Sequence, residues 1–115
     1  MVKNYIPEPS DISYIDFDPT LGHEQKGVRP CIVVSNETFN RNTHMAIVCP
    51  ITSNTKPFPT HHILKSTNIV HGAILCEHIR SVDYSTRNMR FVEKISTEEY
   101  EEVIELITAC LETFE

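Results

Sequence analysis

A short stretch near the N-terminus concentrates the side chains that could carry chemistry. Within 14 residues the sequence places three carboxylates, an imidazole, an amide and two cations, more polar groups than a simple connection between strands needs. These residues are Asp16, Asp18, His23, Glu24, Gln25, Lys26 and Arg29. We therefore expect this stretch to bind or transform a ligand.

Glycine and proline residues in the same stretch indicate how these side chains are held. Gly22 and Gly27 bracket the polar residues and permit positive φ or a close approach to a ligand. Pro30 restricts Arg29 to extended conformations, which would fix the guanidinium at the base of the next strand. The loop alone leaves open whether Arg29 is an active group or an arginine paired with a nearby aspartate.

A second candidate element is the sequence PITS at residues 50–53. It places the hydroxyls of Thr52 and Ser53 at the end of an apolar strand. Strand-end hydroxyls more often satisfy the backbone of a turn than take part in chemistry. Alone, this element is therefore a weak signal.

The elements that must position these residues are mostly strands. Apolar runs and apolar–polar alternation predict short strands separated by polar loops. The predicted strands are residues 12–17, 31–35, 45–51, 61–64, 73–76 and 90–92. The stretches 18–30 and 52–59 are predicted as loops and 36–44 as a polar turn. This pattern predicts a small, strongly curved sheet or barrel.

Only the end of the chain is predicted to be helical. Ser96 and Glu99 have the spacing of a capping box, and apolar residues then recur every three or four positions. The apolar stripe consists of Tyr100, Val103, Ile104, Ile107, Leu111 and Phe114. Packing of this stripe on the barrel is the simpler interpretation, and a dimer or partner contact is the alternative.

Composition indicates one globular domain over residues 1–115. Apolar residues form 40% of the chain and charged residues 23%, which is ordinary for a folded domain. No apolar run reaches the roughly 18 residues of a membrane span, and residues 1–10 lack a signal-peptide pattern, so we expect a cytoplasmic protein.

We expect buried reduced thiols and no metal site, because the cysteines lie in apolar segments without paired spacing. They are Cys31, Cys49, Cys76 and Cys110.

The net charge of −6 argues, taken alone, against a nucleic-acid partner. The charge is unevenly distributed, however. Residues 93–115 contain eight acidic residues and one lysine, which leaves about +1 for residues 1–92. An acidic helix can therefore lie away from a nearly neutral binding groove.

The polar stretch DISYIDFDPTLGHEQKGVRP and the PITS element closely resemble the MazF and PemK (Kid) family of messenger-RNA interferases. That family has a G-D-I-x-x-x-D-x-x-P-x-x-G-x-E-Q-x-G-x-R-P run, an I-T or T-T pair ending its third long strand, and a later x-x-E-Q-I-R-x-x-D segment. The counterparts here are residues 11–30, 51–52 and 77–83 (EHIRSVD). The resemblance spans essentially the whole chain. Ser10 replaces a glycine, where we expect a change confined to a local turn, and His78 replaces the glutamine.

The resemblance implies an α+β fold, with a small SH3-like, CcdB-like β-barrel and a C-terminal helix. It further implies a homodimer that cuts single-stranded RNA at short sequences, without metal or cofactor, and leaves a 2′,3′-cyclic phosphate and a 5′-hydroxyl. Such a chain is the toxin of a type II toxin–antitoxin pair, held in check by a MazE-like antitoxin that covers the RNA groove.

Catalytic roles follow from the matched positions. Arg29 is expected to bind the scissile phosphate, and the hydroxyl of Thr52 to stabilise the charge that develops there. An arginine with a pKa above about 12 is a poor proton acceptor. Glu24 is the better candidate for the general base, although an ion pair that orients Arg29 or Lys26 is an equally good role for it.

Contacts with RNA are expected from a wider set of polar and aromatic side chains, namely His23, Gln25, Ser53, Phe58, His78 and Arg80. Among them, Phe58 lies between two prolines in a polar loop and is a candidate for base stacking. Phe17 alternates with Ile15 and is expected in the core. His23 is close in sequence, but a lone loop histidine is more often a solvated residue.

Two other functions remain open at the level of sequence. A CcdB-like toxin that binds DNA gyrase without catalysis would share the fold, and fold does not determine function. An inert RNA-binding or interaction module is the other alternative. The polar loop with Thr52 favours the nuclease, since a gyrase-binding protein needs no phosphate-sized polar centre.

Overall fold

The chain folds into seven strands and two helices, as seen in a computed structural model that describes residues 5–17 and 27–112. The strands are β1 (Asp11–Asp16), β2 (Val28–Val33), β3 (Met45–Thr52), β4 (His61–Ile63), β5 (Ala73–Leu75), β6 (Arg80–Asp83) and β7 (Arg90–Lys94). The helices are α1 (Glu37–Thr43) and α2 (Thr97–Leu111), and a 3₁₀ turn spans Cys76–His78. The prediction of a mainly β, α+β chain with a C-terminal helix is confirmed.

All strand pairs are antiparallel, and the sheet runs in the order β4-β5-β3-β2-β1-β7, with β6 also paired to β3. β3 is the longest strand and the central one. Its first half pairs with β6, and its last residues pair with β5. In the described part of the chain no ladder joins the outer strands β4 and β7, so of the two predicted forms, a strongly curved sheet or a barrel, the chain forms an open sheet.

Successive residues of β3 point to opposite faces of the sheet and divide between two apolar cores. The helix-side core contains Ile12, Ile32, Cys49, Ile51, Val70, Ile74, Cys76, Ile95, Val103 and Ile107. The second core contains Ile15, Phe17, Cys31, Val33, Ala46, Val48, Val82, Tyr84 and Met89. Phe17 is fully buried, as expected from its alternation with Ile15.

Helix α2 begins at its cap as predicted, because the Ser96 hydroxyl accepts a hydrogen bond from the Glu99 backbone N–H at 3.1 Å. The second half of the predicted capping box is absent. The Glu99 carboxylate instead bonds to a loop, and the Ser96 N–H donates to Ser66. Val103 and Ile107 are buried, but Leu111 is 71% exposed and lies beyond the core contact; Phe114 is outside the described residues.

Two elements were missed in the sequence. The segment predicted as a polar turn at 36–44 contains α1, which is capped by Asn36 and whose buried residue is Asn40. β6 was also missed, since Val82 is its one fully buried residue. In addition, β2 begins at Val28, so the last three residues of the predicted 18–30 loop belong to a strand.

Position 10 shows why a glycine is usual before the first strand. Ser10 has φ +81°, a left-handed conformation that glycine adopts without the cost of a Cβ. Its N–H donates to the Val33 carbonyl, and its carbonyl accepts from the Ile95 N–H, both at 3.0 Å. The serine is thus accommodated within the local turn.

Three of the four cysteines are buried, as predicted, and all four are free thiols. Burial raises the pKa of the Cys31 thiol above its usual value. Cys110 contradicts the prediction, because it lies on the exposed side of α2. Among the described residues, no helix is long and apolar enough to cross a membrane.

Candidate functional site

Arg29 lies within β2, opposite Ile15 of β1, and its side chain is exposed. The extended conformation expected from the following proline is therefore observed. The Phe17 N–H donates to the Gly27 carbonyl at 2.9 Å, and Gly27 has φ +81°, a left-handed value that glycine permits. The two ends of the polar loop therefore meet at Phe17 and Gly27, and Arg29 lies two residues after Gly27.

Arg29 and Thr52 lie on neighbouring strands, β2 and β3. These strands pair antiparallel, with Cys31 opposite Pro50. The same register continued by two residues on each strand places Arg29 opposite Thr52, on the sheet face that carries Cys31. A guanidinium and a hydroxyl therefore project from neighbouring strands at one end of the second core.

The Thr52 hydroxyl also has the structural role that strand-end threonines commonly take. Its Oγ1 accepts a hydrogen bond from the Asn54 backbone N–H at 3.2 Å. A hydroxyl that accepts such a bond can still donate its own hydrogen. Capping the turn and stabilising an anion are therefore compatible roles for this side chain.

Gly72 holds the end of β3 in place and was not singled out from the sequence. It has φ +144°, and a Cβ added there would lie 2.1 Å from the Thr52 carbonyl oxygen. The neighbouring Ala73 pairs with Thr52 in the β3–β5 ladder. Only a residue without a side chain permits this approach, so the position of Thr52 depends on Gly72.

A cleft of about 460 Å³ extends from Thr52 toward the loop after β3. It brings together three residues predicted from the sequence, Thr52, Phe58 and His78, and its lining also includes Lys56, His61 and Glu77. The Phe58 side chain is 57% exposed, and its ring lies 4.9 Å from that of His61. An exposed aromatic ring at the mouth of a polar cleft suits the stacking of a planar group.

Glu77 is the polar centre of this cleft, and its only signal in the sequence is its place in the EHIRSVD motif. Its carboxylate accepts hydrogen bonds from the Thr60 hydroxyl at 2.7 Å and from His61 Nε2 at 2.8 Å. Burial alone would raise the pKa of Glu77, but these two bonds, a backbone hydrogen bond and the electrostatic effect of His61 together hold the pKa below its usual value. Glu77 therefore carries a negative charge at neutral pH, with His78 Nε2 3.7 Å away.

Arg80 lies in β6, beside Val48 of β3, and is partly buried. Its guanidinium carbon lies 5.7 Å from the centre of the Phe17 ring. This cation–π contact holds the charge close to the point where the polar loop begins. The structure therefore gives Arg80 a packing contact in addition to its predicted contact with RNA, which remains a prediction.

The remaining predicted residues fall in two groups. Ser53 is exposed directly after Thr52. Glu24, Gln25 and His23, together with Asp18, Gly22 and Lys26, lie outside the described residues. Within residues 5–17 and 27–112, no three His, Cys, Asp or Glu residues are grouped so that they could hold a metal ion. The described residues thus provide a cation and a hydroxyl beside an aromatic cleft, an arrangement able to bind an oxyanion with a planar group attached.

Comparison with known proteins finds similar toxins. A family model described as PemK-like, MazF-like toxin of type II toxin-antitoxin system matches residues 8–111. The chain is 32% identical to the Endoribonuclease toxin MazF of Escherichia coli (strain K12), over 86% of this chain and 88% of that protein.

Solved structures are similar over nearly their full length. The crystal structure of MazF (Form-I) from Deinococcus radiodurans matches with a TM-score of 0.88 and 30% identity, covering 94% of this chain and 98% of that one. MazE-MazF (Form-III) from the same organism matches with a TM-score of 0.83 and 28% identity, covering 93% and 97%. The resemblance inferred from the motifs is therefore confirmed, and the chain belongs to the family of PemK-like, MazF-like toxins of type II toxin–antitoxin systems.

Proposed function

We propose that this chain is the toxin of a type II toxin–antitoxin system and acts as a sequence-specific endoribonuclease on single-stranded messenger RNA. The observation that carries the proposal is the register of β2 and β3, which pairs Cys31 with Pro50. Continued by two residues, this register sets Arg29 across from Thr52, and Thr52 lines the cleft. The relatives named endoribonuclease support the reaction class.

The two side chains are suited to transesterification at phosphorus. The 2′-oxygen of one nucleotide attacks its own 3′-phosphate, and the bond to the 5′-oxygen of the next nucleotide breaks. Arg29 binds the non-bridging oxygens, and the Thr52 hydroxyl donates to the same charge as it increases in the transition state. The products are a 2′,3′-cyclic phosphate and a 5′-hydroxyl.

Proton transfer requires a base for the 2′-hydroxyl and an acid for the leaving oxygen. Arg29 is poorly suited to the first task, because a guanidinium stays protonated in ordinary sites. We propose Glu24 as the base, with Gln25 and His23 as further RNA contacts from the same loop. This assignment rests on the motif alone.

The cleft beyond Thr52 is proposed to hold the bases that flank the cut. Phe58 offers a stacking surface, and Lys56 a cation for the phosphate backbone. Glu77 and His78 can accept or donate hydrogen bonds at base edges. Ser53 and Arg80 are proposed as further contacts with the RNA.

The partners follow from the same family. We propose a homodimer in the cytoplasm, inhibited by a MazE-like antitoxin that occupies the RNA groove. The match to a MazE-MazF structure supports an antitoxin partner. The CcdB-like alternative, binding of DNA gyrase without catalysis, is not favoured, since the match is to toxins named endoribonucleases and the site suits a phosphodiester.

The decisive experiment is cleavage of a long single-stranded RNA in excess EDTA, followed by mapping of both fragment ends. The wild-type protein should cut at one short sequence and leave cyclic phosphates, and Arg29→Ala should reduce the rate by at least about 100-fold. Addition of the cognate antitoxin should reduce the wild-type rate in proportion to the complex formed.

The matched control is Arg41→Ala. Arg41 is exposed on α1, after the opposite end of β2, and pairs with Glu37 at 2.5 Å. This variant loses one positive charge, as Arg29→Ala does, and should cleave at the wild-type rate. Equal reductions in rate for both variants would mean that the charge acts nonspecifically, and no cleavage of any RNA would reject the nuclease.

A further inference from the structure

Two glutamates outside the cleft accept hydrogen bonds from the loop between β4 and β5. Glu93 of β7 accepts hydrogen bonds from three consecutive backbone N–H groups, those of Asn68, Ile69 and Val70, at 2.9, 3.0 and 2.7 Å. Three backbone donors on one carboxylate form a strong, charge-assisted anchor for a loop that has no ladder of its own.

Glu99 of α2 anchors the first part of the same loop. Its carboxylate accepts from the backbone N–H groups of Lys65 and Ser66, both at 2.8 Å, and from the Ser66 hydroxyl. His62 Nε2 lies 2.7 Å from the carboxylate oxygen that also accepts from the Lys65 N–H. Glu99 is only 2% exposed, so this buried charge is stabilised by the loop and by the histidine.

The loop held by Glu93 and Glu99 ends in contact with Thr52, which is proposed to act on phosphate. Its base is closed by a hydrogen bond from the Leu64 N–H to the Gly72 carbonyl at 2.9 Å. Gly72 then packs on the Thr52 carbonyl, and Ala73 pairs with Thr52 in the ladder. A continuous chain of contacts therefore connects both carboxylates to the end of β3.

We propose that Glu93 and Glu99 are positioning residues for Thr52, which they hold in place through loop 64–72 and Gly72. The inference rests on the proposed function, since it assumes that Thr52 acts in RNA cleavage. The proposal gives two glutamates of the acidic C-terminal segment a role in positioning Thr52, which the charge of the segment alone does not indicate. These carboxylates do not contact RNA; they act through the backbone that seats Thr52.

The first test is Glu93→Gln, which keeps the shape of the side chain but replaces one acceptor oxygen with an NH₂ group. On an RNA oligonucleotide with one cut site, the single-turnover rate at saturating enzyme should fall about tenfold. The enzyme concentration that gives half the maximal rate should change by less than about twofold, because the RNA contacts are untouched. Glu105→Gln removes the same charge from an exposed position of α2 and should match the wild type.

Coupling to Thr52 separates positioning from general destabilisation. In a Thr52→Ala background, Glu93→Gln should have no further effect on the rate, since the hydroxyl that it positions is already absent. A tenfold decrease in both backgrounds, or none in either, would overturn the inference. If Glu93→Gln fails to fold, Glu93→Asp keeps the charge, shortens its reach by one methylene and should show the same coupling.

The assay also separates this inference from the proposed function. A wild-type chain that cleaves no RNA overturns both. A wild-type chain that cleaves, while Glu93→Gln acts equally with and without the Thr52 hydroxyl, overturns the positioning role alone.

Discussion

At the scale of single residues, the proposed site combines two cations with different environments. Arg29 is exposed on β2, whereas the Arg80 guanidinium lies 5.7 Å from the centre of the buried Phe17 ring. A planar guanidinium can stack on a ring and still donate hydrogen bonds from its edge. Arg80 can therefore bind a phosphate while its cation–π contact is kept.

Replacement of Arg80 with alanine should weaken RNA binding in a salt-dependent way. For each phosphate of a single strand that the variant no longer neutralises, the slope of log K against log salt concentration should become less steep by about 0.7. The measurement is a titration at several salt concentrations, using RNA with a 2′-O-methyl group at the cut site so that it cannot be cleaved. An unchanged slope would show that Arg80 serves packing alone, and Arg41→Ala provides the control.

Only some residues of the proposed site could be named from the sequence, for a physical reason. Arg29 and Thr52 could be named as candidates, because each lies in a motif of the family resemblance, although the PITS element alone is a weak signal. Gly72, Glu93 and Glu99 could not, since their roles depend on contacts between segments far apart in the chain. The acidic C-terminal segment was instead expected to be a charged face lying away from the groove.

At the scale of elements, prediction succeeded for strands with several buried apolar residues and failed for α1 and β6, which have one buried residue each. Apolar–polar alternation predicted most of β1, and apolar runs predicted most of β3 and the second half of β2. Helix α1 was missed because its buried side chain is Asn40, which donates to the Pro7 and Ser35 carbonyls rather than packing in an apolar stripe. Hydrophobic periodicity cannot detect a helix held by an amide.

The contact between β5 and the end of β3 gives a prediction at this scale. Gly72→Ala should destabilise the protein by about 2 kcal/mol or more, because the new Cβ meets the Thr52 carbonyl oxygen and forces β3 and β5 apart. The rate of RNA cleavage should also fall, since the displaced residue is Thr52. Urea denaturation gives the free energy of unfolding, and the cleavage assay gives the rate.

Gly27→Ala is the comparison for Gly72→Ala. Gly27 also has a positive φ, but a Cβ added there has no atom within 4 Å. The backbone strain alone should cost about 1–2 kcal/mol. If Gly27→Ala destabilised the protein more than Gly72→Ala does, the steric role of Gly72 would be wrong.

At the scale of the whole molecule, folding lowers the pKa values of several acidic groups. Burial opposes the charge of Glu77, Glu93 and Glu99, but hydrogen bonds from side chains and loop backbones outweigh it and lower their pKa values. The pKa of Asp83 is lowered by bonds from Thr86 and Ser85. The folded state therefore holds these protons more weakly than the unfolded chain does.

Stability should accordingly fall in acid. A group whose folded pKa is depressed contributes stability above its unfolded pKa and loses that contribution as the pH falls through the folded value. With a usual glutamate value of 4.5, the free energy of unfolding should be level near neutral pH and decrease below about 4.5. Urea titrations from pH 7 to pH 3 measure this.

Glu99→Gln serves as the matched variant for the acid titration. It should be less stable than the wild type at pH 7, because the loop N–H groups lose a charged acceptor. It should also lose less stability on acidification, since one of the titrating groups is gone. Parallel pH curves for the two proteins would exclude Glu99 from the effect.

The bond between Glu93 and loop 68–70 has a consequence for motion. It joins β7, at one end of the open sheet, to the loop that follows β4, at the other end. Among the described residues no backbone ladder joins these two ends. Three hydrogen bonds to one side chain can break without disturbing any strand pair. We therefore expect the loop to detach locally from β7 at a lower free-energy cost than global unfolding. Amide hydrogens of residues 68–70 should exchange with solvent through this opening, long before those of β3.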